Sequence, residues 1–233
     1  MKKIPKTVWV LGLVLVALLG IKQCMAGDVL RYKVTVTVTT PEGEKTGYAV
    51  REAGRETEMR ILPQQGGVFY NVVKGEAVVV DLGKRGVLFF LIGGQREAEY
   101  VFKAFPSKEN KDRVAIPLEQ FRFYYPQFVH FKSLSDPGTV EKAVIIKIEG
   151  GQSYGPFITG GHVVSINLDE NIFGKGVDLK DVIFERSGEP VTAGIEKYLP
   201  WVPRVKMSYI DGGHSSASAP LGLGGNDFQI GEK

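Results

Sequence analysis

At 233 residues, with 43% hydrophobic and 24% charged side chains, the chain can hold one domain with a sizeable core or two small ones. Its one cysteine, Cys24, lies near the N-terminus, which excludes a disulfide framework and thiol chemistry from the rest of the chain. The net charge of +3 belongs to residues 1–26, which hold four lysines and no acid; the remainder carries −1, and a body near neutrality is no nucleic-acid binder by electrostatics.

Lys2, Lys3 and Lys6 precede an uncharged, almost wholly apolar run from Thr7 to Ile21. Cys24-Met25-Ala26 then places small residues at the −3 and −1 positions of a cut before Gly27, the pattern of a secretory signal. An uncleaved anchor is the rival: the 15 apolar residues would span about 22 Å at ~1.5 Å each, short of the ~30 Å hydrocarbon core, so Lys6 and Lys22 would have to snorkel. A lipoprotein acylated at Cys24 is the third route, but Lys22 and Gln23 depart from the small residue needed just before the acylated cysteine. In both leading cases the cationic end stays cytoplasmic, so the body is expected in the periplasm or on the extracytoplasmic face of the cytoplasmic membrane. The expected division is a signal peptide or anchor over 1–26, a β-rich extracytoplasmic domain over 27–206 and a flexible tail over 207–233.

Leu30 to Thr40 alternates, with Tyr32, Val34, Val36 and Val38 on one face and Lys33, Thr35, Thr37 and Thr39 on the other. Thr40-Pro41-Glu42-Gly43 suits a type I turn, and the return strand is predicted over Lys45 to Glu52 with Tyr48 and Val50 inward. Arg51 to Arg60 is dense in charge and predicts a solvated edge or loop. After the Pro63–Gly67 loop, Val68 to Val73 predicts a strand leading into the most apolar part of the chain. There Val78 to Leu82 and Val87 to Ile92 are apolar on both faces, as in strands covered on both sides at the centre of a sheet. Gly83-Lys84-Arg85-Gly86 joins them, with Lys84 and Arg85 as solvated loop charges and Asp81 bonding turn amides.

Gln95 to Phe105 fits a helical stripe through Ala98, Phe102 and Phe105 and equally a strand through Tyr100 and Phe102. Ser107 to Arg113 predicts a polar loop. Pro117 can open a short helix with Leu118, Phe121 and Tyr125 on one face, stopped at Pro126. The aromatics from Phe121 to Phe131, Tyr124 and Tyr125 among them, read as core packing or as the lining of a ligand pocket. Phe128–Leu134, Val144–Ile148, Phe157–Ile166 and Leu179–Glu185 predict strands, and Leu168–Phe173 one helical turn. Pro190-Val191-Thr192 introduces a short helix with Ile195, Tyr198 and Leu199. From Asp211 to Asn226 the chain is rich in Gly, Ser and Ala, as a flexible tail would be, with Asn226-Asp227-Phe228 able to dock back.

Several of these segments, Leu30-Arg31-Tyr32-Lys33-Val34-Thr35-Val36 with Thr40-Pro41-Glu42-Gly43, then Lys74 to Gly83 with Leu88-Phe89, together resemble an uncharacterised family of proteobacterial proteins. Ser135-Asp136-Pro137 with Thr139-Val140, Gly176-Val177-Asp178-Leu179, and Gly188-Glu189-Pro190-Val191-Thr192 running to Leu199-Pro200-Trp201 are similar to the same family. Residues 142–163 are longer than its pattern. The resemblance covers most of Leu30 to Trp201 and implies one hydrophobic N-terminal segment, hence anchoring or export; it implies no activity and no catalytic residue.

One catalytic pattern is present. Gly151-Gln152-Ser153-Tyr154-Gly155 matches the G-x-S-x-G elbow, which needs a strand running through a sharp turn straight into a helix, so that the serine is exposed beside helix-start amides. Ser153 with His214 is therefore a candidate hydrolase pair, although Pro156 to Gly161 reads as strand and turn, and His214 sits in the Gly/Ser/Ala-rich stretch. His130, His162 and His214 are isolated in sequence and predict no metal site. Asp169-Glu170-Asn171 suits the start of a helical turn better than a calcium loop. Trp201, between Pro200 and Pro203, is a candidate anchor for a partner or a membrane interface, with packing over the last helix as the alternative.

The expectation is thus a mainly β (α+β) fold: an antiparallel sheet or sandwich with two or three short helices, preceded by one N-terminal hydrophobic helix. Function is expected to be non-enzymatic binding or scaffolding in the cell envelope, with no cofactor and no metal. The partners expected are the membrane, through residues 7–21, and an envelope protein, with no nucleic acid. The alternatives are a serine hydrolase using Ser153 and a small-ligand-binding β domain whose pocket Tyr124 and Tyr125 would line.

Overall fold

Strands that alternate cover one layer, and strands apolar on both faces lie between two; this chain contains both kinds and stacks them accordingly. The computed structural model describes residues 27–57, 67–106, 113–117, 128–154, 157–205, 210 and 221–231. In chain order it contains β1 (Asp28–Thr40), β2 (Gly43–Thr57), β3 (Val68–Glu76), β4 (Val78–Asp81), β5 (Val87–Phe90), helix α1 (Gly94–Ala104), β6 (Arg113–Ala115) and β7 (Phe128–Phe131). After these come β8 (Val140–Lys142), β9 (Val144–Tyr154), β10 (Phe157–Leu168), the short helix α2 (Glu170–Phe173), β11 (Asp178–Arg186) and β12 (Gln229–Ile230). The fold is mainly β, and every strand pair among the described residues is antiparallel. A six-stranded sheet runs β12-β3-β2-β1-β11-β6, a four-stranded sheet runs β4-β5-β7-β8, and β9 with β10 forms a separate hairpin.

The main core lies between the inner face of the six-stranded sheet and one face of the smaller sheet, with α1 closing it. Tyr32, Val34, Val36 and Val38 point into it from β1 and Val78, Val80, Leu88 and Phe90 from the small sheet. The alternate residues of the same strands, Ala77, Val87, Phe89 and Leu91, face a second core. That core is covered by Ile195, Leu199, Trp201, Val202, Leu223 and Phe228. Coverage on both sides is why Val87 to Ile92 shows no alternation. Of the two hairpin strands only β5 is interior; β4 is an edge strand, and it lies across β2 at Gly47. A Cβ on Gly47 would sit 2.0 Å from the Val79 carbonyl oxygen, so only glycine permits the crossing.

The Thr40–Gly43 turn closes β1 and β2 as expected, with Thr40 Oγ1 accepting from the Glu42 amide at 3.2 Å. The face assignment of β2 needs correction. Pairing of Val34 with Ala49 and Tyr32 with Arg51 turns the odd-numbered residues of β2 inward, and a shift of one residue exchanges the faces. Tyr48 is 54% exposed, and Val50 is buried on the outer side, where its amide donates to Thr192 Oγ1 and its carbonyl accepts from the Thr192 amide. Arg51, expected in a solvated edge, is fully buried. The segment that fits both a strand and a helix is the helix α1, which buries Glu97, Ala98 and Val101 at helical spacing.

The end of the chain also differs from the expected flexible tail. Ile210, Leu223 and Phe228 are buried, and Gln229 and Ile230 pair with Glu76 and Gly75, so this part of residues 207–233 belongs to the domain. The short helix after Pro190 is a single 3-10 turn, Ile195–Lys197. The expected leader over residues 1–26, the short helix opening at Pro117 and the flexible run over 211–220 lie outside the described residues. Among the described residues no helix is long and apolar enough to cross a membrane.

Candidate functional site

Buried ionisable groups are the first place to look for chemistry. The guanidinium of Arg51 pairs with both Glu97 oxygens, at 2.7 and 2.9 Å, and donates to the carbonyls of Glu76, Phe90 and Leu91 at 2.9, 3.0 and 3.3 Å. Glu97 also accepts from the Tyr32 hydroxyl at 2.7 Å and from the Gly93 amide at 2.6 Å. Glu76 accepts the Ile195 amide at 2.8 Å. These groups join β2, the β3–β4 corner, the end of β5 and α1 inside the core. Every bond is directed at the protein itself, so the cluster is a clamp on the fold.

The other marked electrostatic feature is at the β1–β2 turn. Arg85 pairs with Glu42 at 2.9 Å and donates to the Phe173 carbonyl, also at 2.9 Å, so this loop cation is not simply solvated. Hydrogen bonding from Arg85 lowers the Glu42 carboxyl from 4.5 to about 2. Lys33, Lys103 and Lys180 are each raised by a hydrogen bond to a glutamate, respectively Glu189, Glu99 and Glu44, and burial raises Tyr100.

The sequence-derived candidates are not brought together. Ser153 lies within β9, opposite Ile158 of β10, so its backbone runs strand to strand and not strand to helix; the elbow geometry is absent there. His214, Tyr124 and Tyr125 lie outside the described residues. His130 is half-buried in β7, with Nδ1 3.1 Å from the Val87 carbonyl and its ring against Phe173. His162 is exposed on β10. Among the described residues no three metal-ligating side chains cluster. Trp201 is no free anchor: it is 7% exposed, stacks edge-on to Phe131 and Phe228, and donates Nε1 to the Leu134 carbonyl at 2.9 Å.

What remains open is a groove at one corner of the six-stranded sheet, where β1 begins, β2 ends and β3 begins. Gly54 pairs with Val29 on one side and Asn71 on the other, leaving a floor without a side chain. Val73 leans over that floor, since a Cβ on Gly54 would meet its Cγ1 at 2.9 Å. Phe69, opposite Glu56, forms the far wall, and Asn71, Tyr70 and Gln95 complete a cavity of about 410 Å³. Val29, Phe69 and Val73 are 62, 50 and 40% exposed on this outer face, while Val68, of the same parity as buried Val72, faces the other side. The inner face of the corner is fixed by Phe102, whose ring lies 5.6 Å from Tyr70 and 5.4 Å from the Arg55 guanidinium. Apolar walls with two amides and one carboxylate suit binding of apolar groups under a polar rim.

Sequence reasoning missed this groove. The one signal was Gly54 inside a strand pattern, which often marks a bulge or a close approach. Comparison of the chain with protein-family models, curated proteins and solved structures finds no match.

Proposed function

We propose that the protein is a non-enzymatic binding module of the cell envelope, held at the extracytoplasmic face of the cytoplasmic membrane by its N-terminal segment, with the corner groove as its recognition surface. The observation that carries this is the groove itself: three large apolar side chains, Val29, Phe69 and Val73, each at least 40% exposed, stand on the outer face of a sheet whose inner face is firmly packed. Contiguous apolar surface of this kind marks interaction sites. The lysine-capped apolar run from Thr7 to Ile21 supports the location. The Arg51–Glu97 cluster supports a non-enzymatic role, because its polar atoms are engaged within the core and face no cleft.

A photoreactive phenylalanine analogue at Phe69, expressed in a bacterial host, is expected to give discrete adducts that the same analogue at exposed Ile145 does not give. No adduct at Phe69, or the same adducts at both positions, would overturn the groove as a recognition surface. A second reading, a small-molecule site, is favoured by the cavity volume of about 410 Å³, within the range of ligand pockets. It expects an adduct of metabolite mass at Phe69 in place of a lipid or protein adduct.

A further inference from the structure

We propose that the occupant of the corner groove is the phospholipid surface that the N-terminal segment enters, so that Val29, Phe69 and Val73 sit at the boundary between headgroups and acyl chains. This rests on the reading above that residues 1–26 are retained as an anchor.

Position is the first argument. The chain reaches the domain at Gly27, where a Cβ would lie 2.9 Å from the Arg55 carbonyl oxygen and 3.1 Å from Glu56 Cγ. Glu56 is paired with Phe69 across β2 and β3, and Val29 is two residues further along β1. Five residues lie between Ile21, the end of the apolar run, and Gly27, so six residue steps join them. Fully extended they reach about 20 Å. Any bilayer holding residues 7–21 therefore keeps this corner within about that distance of its surface, a limit that the Glu42 end of the β1–β2 hairpin, fifteen residues farther along the chain, does not share.

Composition is the second. Val29, Phe69 and Val73 give the outer face of this corner three exposed apolar side chains beside the exposed Glu56 and Asn71, whereas farther along the same face Arg31 pairs with Glu52 and Lys33 with Glu189. Apolar side chains interleaved with polar ones at one end of a charged face suit the headgroup boundary, where apolar groups meet acyl chains and polar groups stay hydrated.

The third is the tether itself. A tethered bilayer covers the corner at an effective concentration on the order of millimolar, so a small patch is enough to hold it there.

The test uses the full chain with Cys24→Ser, carrying single cysteines labelled with an environment-sensitive fluorophore. Phe69→Cys and Val29→Cys are compared with Ile145→Cys after reconstitution into vesicles of zwitterionic and anionic phospholipid. The expected result is blue-shifted emission at positions 29 and 69, quenched several-fold more by bromine-labelled acyl chains than at 145, while 145 is quenched by aqueous iodide. Equal iodide quenching at 69 and 145 in a chain that resists alkaline extraction would overturn the proposal and leave the anchor intact. If the chain is instead released as a soluble body starting at Gly27, the anchoring reading fails. The released body, labelled at 69 and added to the same vesicles, then decides the patch alone: a blue shift upholds it and an unchanged spectrum overturns it.

Discussion

Removing Arg51 should be among the most damaging single changes this fold can suffer. Arg51→Met leaves the Glu97 carboxylate buried without its cation, and withdraws donors from the carbonyls of Glu76, Phe90 and Leu91. Stripping one partner from a buried pair costs about 3–5 kcal/mol. Orphaned buried carbonyls add roughly 1 kcal/mol or more each where water cannot reach them. The expected loss is at least about 4 kcal/mol, a large share of the ~5–15 kcal/mol that holds a domain together. Glu97→Gln is milder, about 2 kcal/mol, because its amide oxygen still accepts from Arg51 while its amide nitrogen faces donors. In the double variant Arg51→Met with Glu97→Leu no charge is stranded, so its cost should fall short of the sum of Arg51→Met and Glu97→Leu by at least ~2 kcal/mol. Urea unfolding followed by Trp201 fluorescence, with the second tryptophan replaced in Trp9→Phe, measures each value. Strict additivity in the double variant, or a cost below ~1 kcal/mol for Arg51→Met, would refute the clamp.

Gly47→Ala places a Cβ 2.0 Å from the Val79 carbonyl oxygen and must lift β4 off β2. It is expected to cost about 3 kcal/mol or more, whereas Gly54→Ala, which meets only the exposed and movable Val73 side chain, should cost under ~1 kcal/mol by the same urea titration. Phe228→Ala opens a cavity among Phe89, Phe131 and Trp201. It should cost about 3–5 kcal/mol and shift Trp201 emission to longer wavelength. The Glu42 carboxyl is depressed in the folded chain, from 4.5 to about 2, so the stability it contributes is complete above 4.5 and fades as pH falls toward about 2. Thermal midpoints of the parent chain and of Glu42→Gln should therefore differ at neutral pH and converge over that acid window.

The parts of the fold that the sequence made plain are those whose periodicity is local. Tyr32 to Val38 alternates and faces one core; Val87 to Ile92 does not alternate and faces two. Arg51 was illegible because its partner Glu97 lies 46 residues away, and a charged residue in a strand reads as solvated until that partner is placed. Tyr48 was misplaced because its face depends on register with β1, which a single strand's pattern does not fix. Phe228 follows a Gly/Ser/Ala-rich stretch, and only the three aromatic rings around it show why it is held. The corner groove was hidden for a related reason. Val68-Phe69-Tyr70-Asn71-Val72-Val73 has apolar residues at both parities, and pairing with Gly54 and Glu56 is what turns Phe69 and Val73 outward. The G-x-S-x-G match failed in the opposite way: a short motif was present, and the strand-to-helix turn that gives it meaning was not.

The side of the membrane that the β domain occupies decides whether it can serve the cell envelope at all. A chain with Cys24→Ser and a single reporter at Ile145→Cys, a position 54% exposed, can be treated in intact cells with a maleimide that does not cross the cytoplasmic membrane. Labelling in intact cells equal to that after lysis is the expected result; labelling that requires lysis would place the domain in the cytosol and contradict the account.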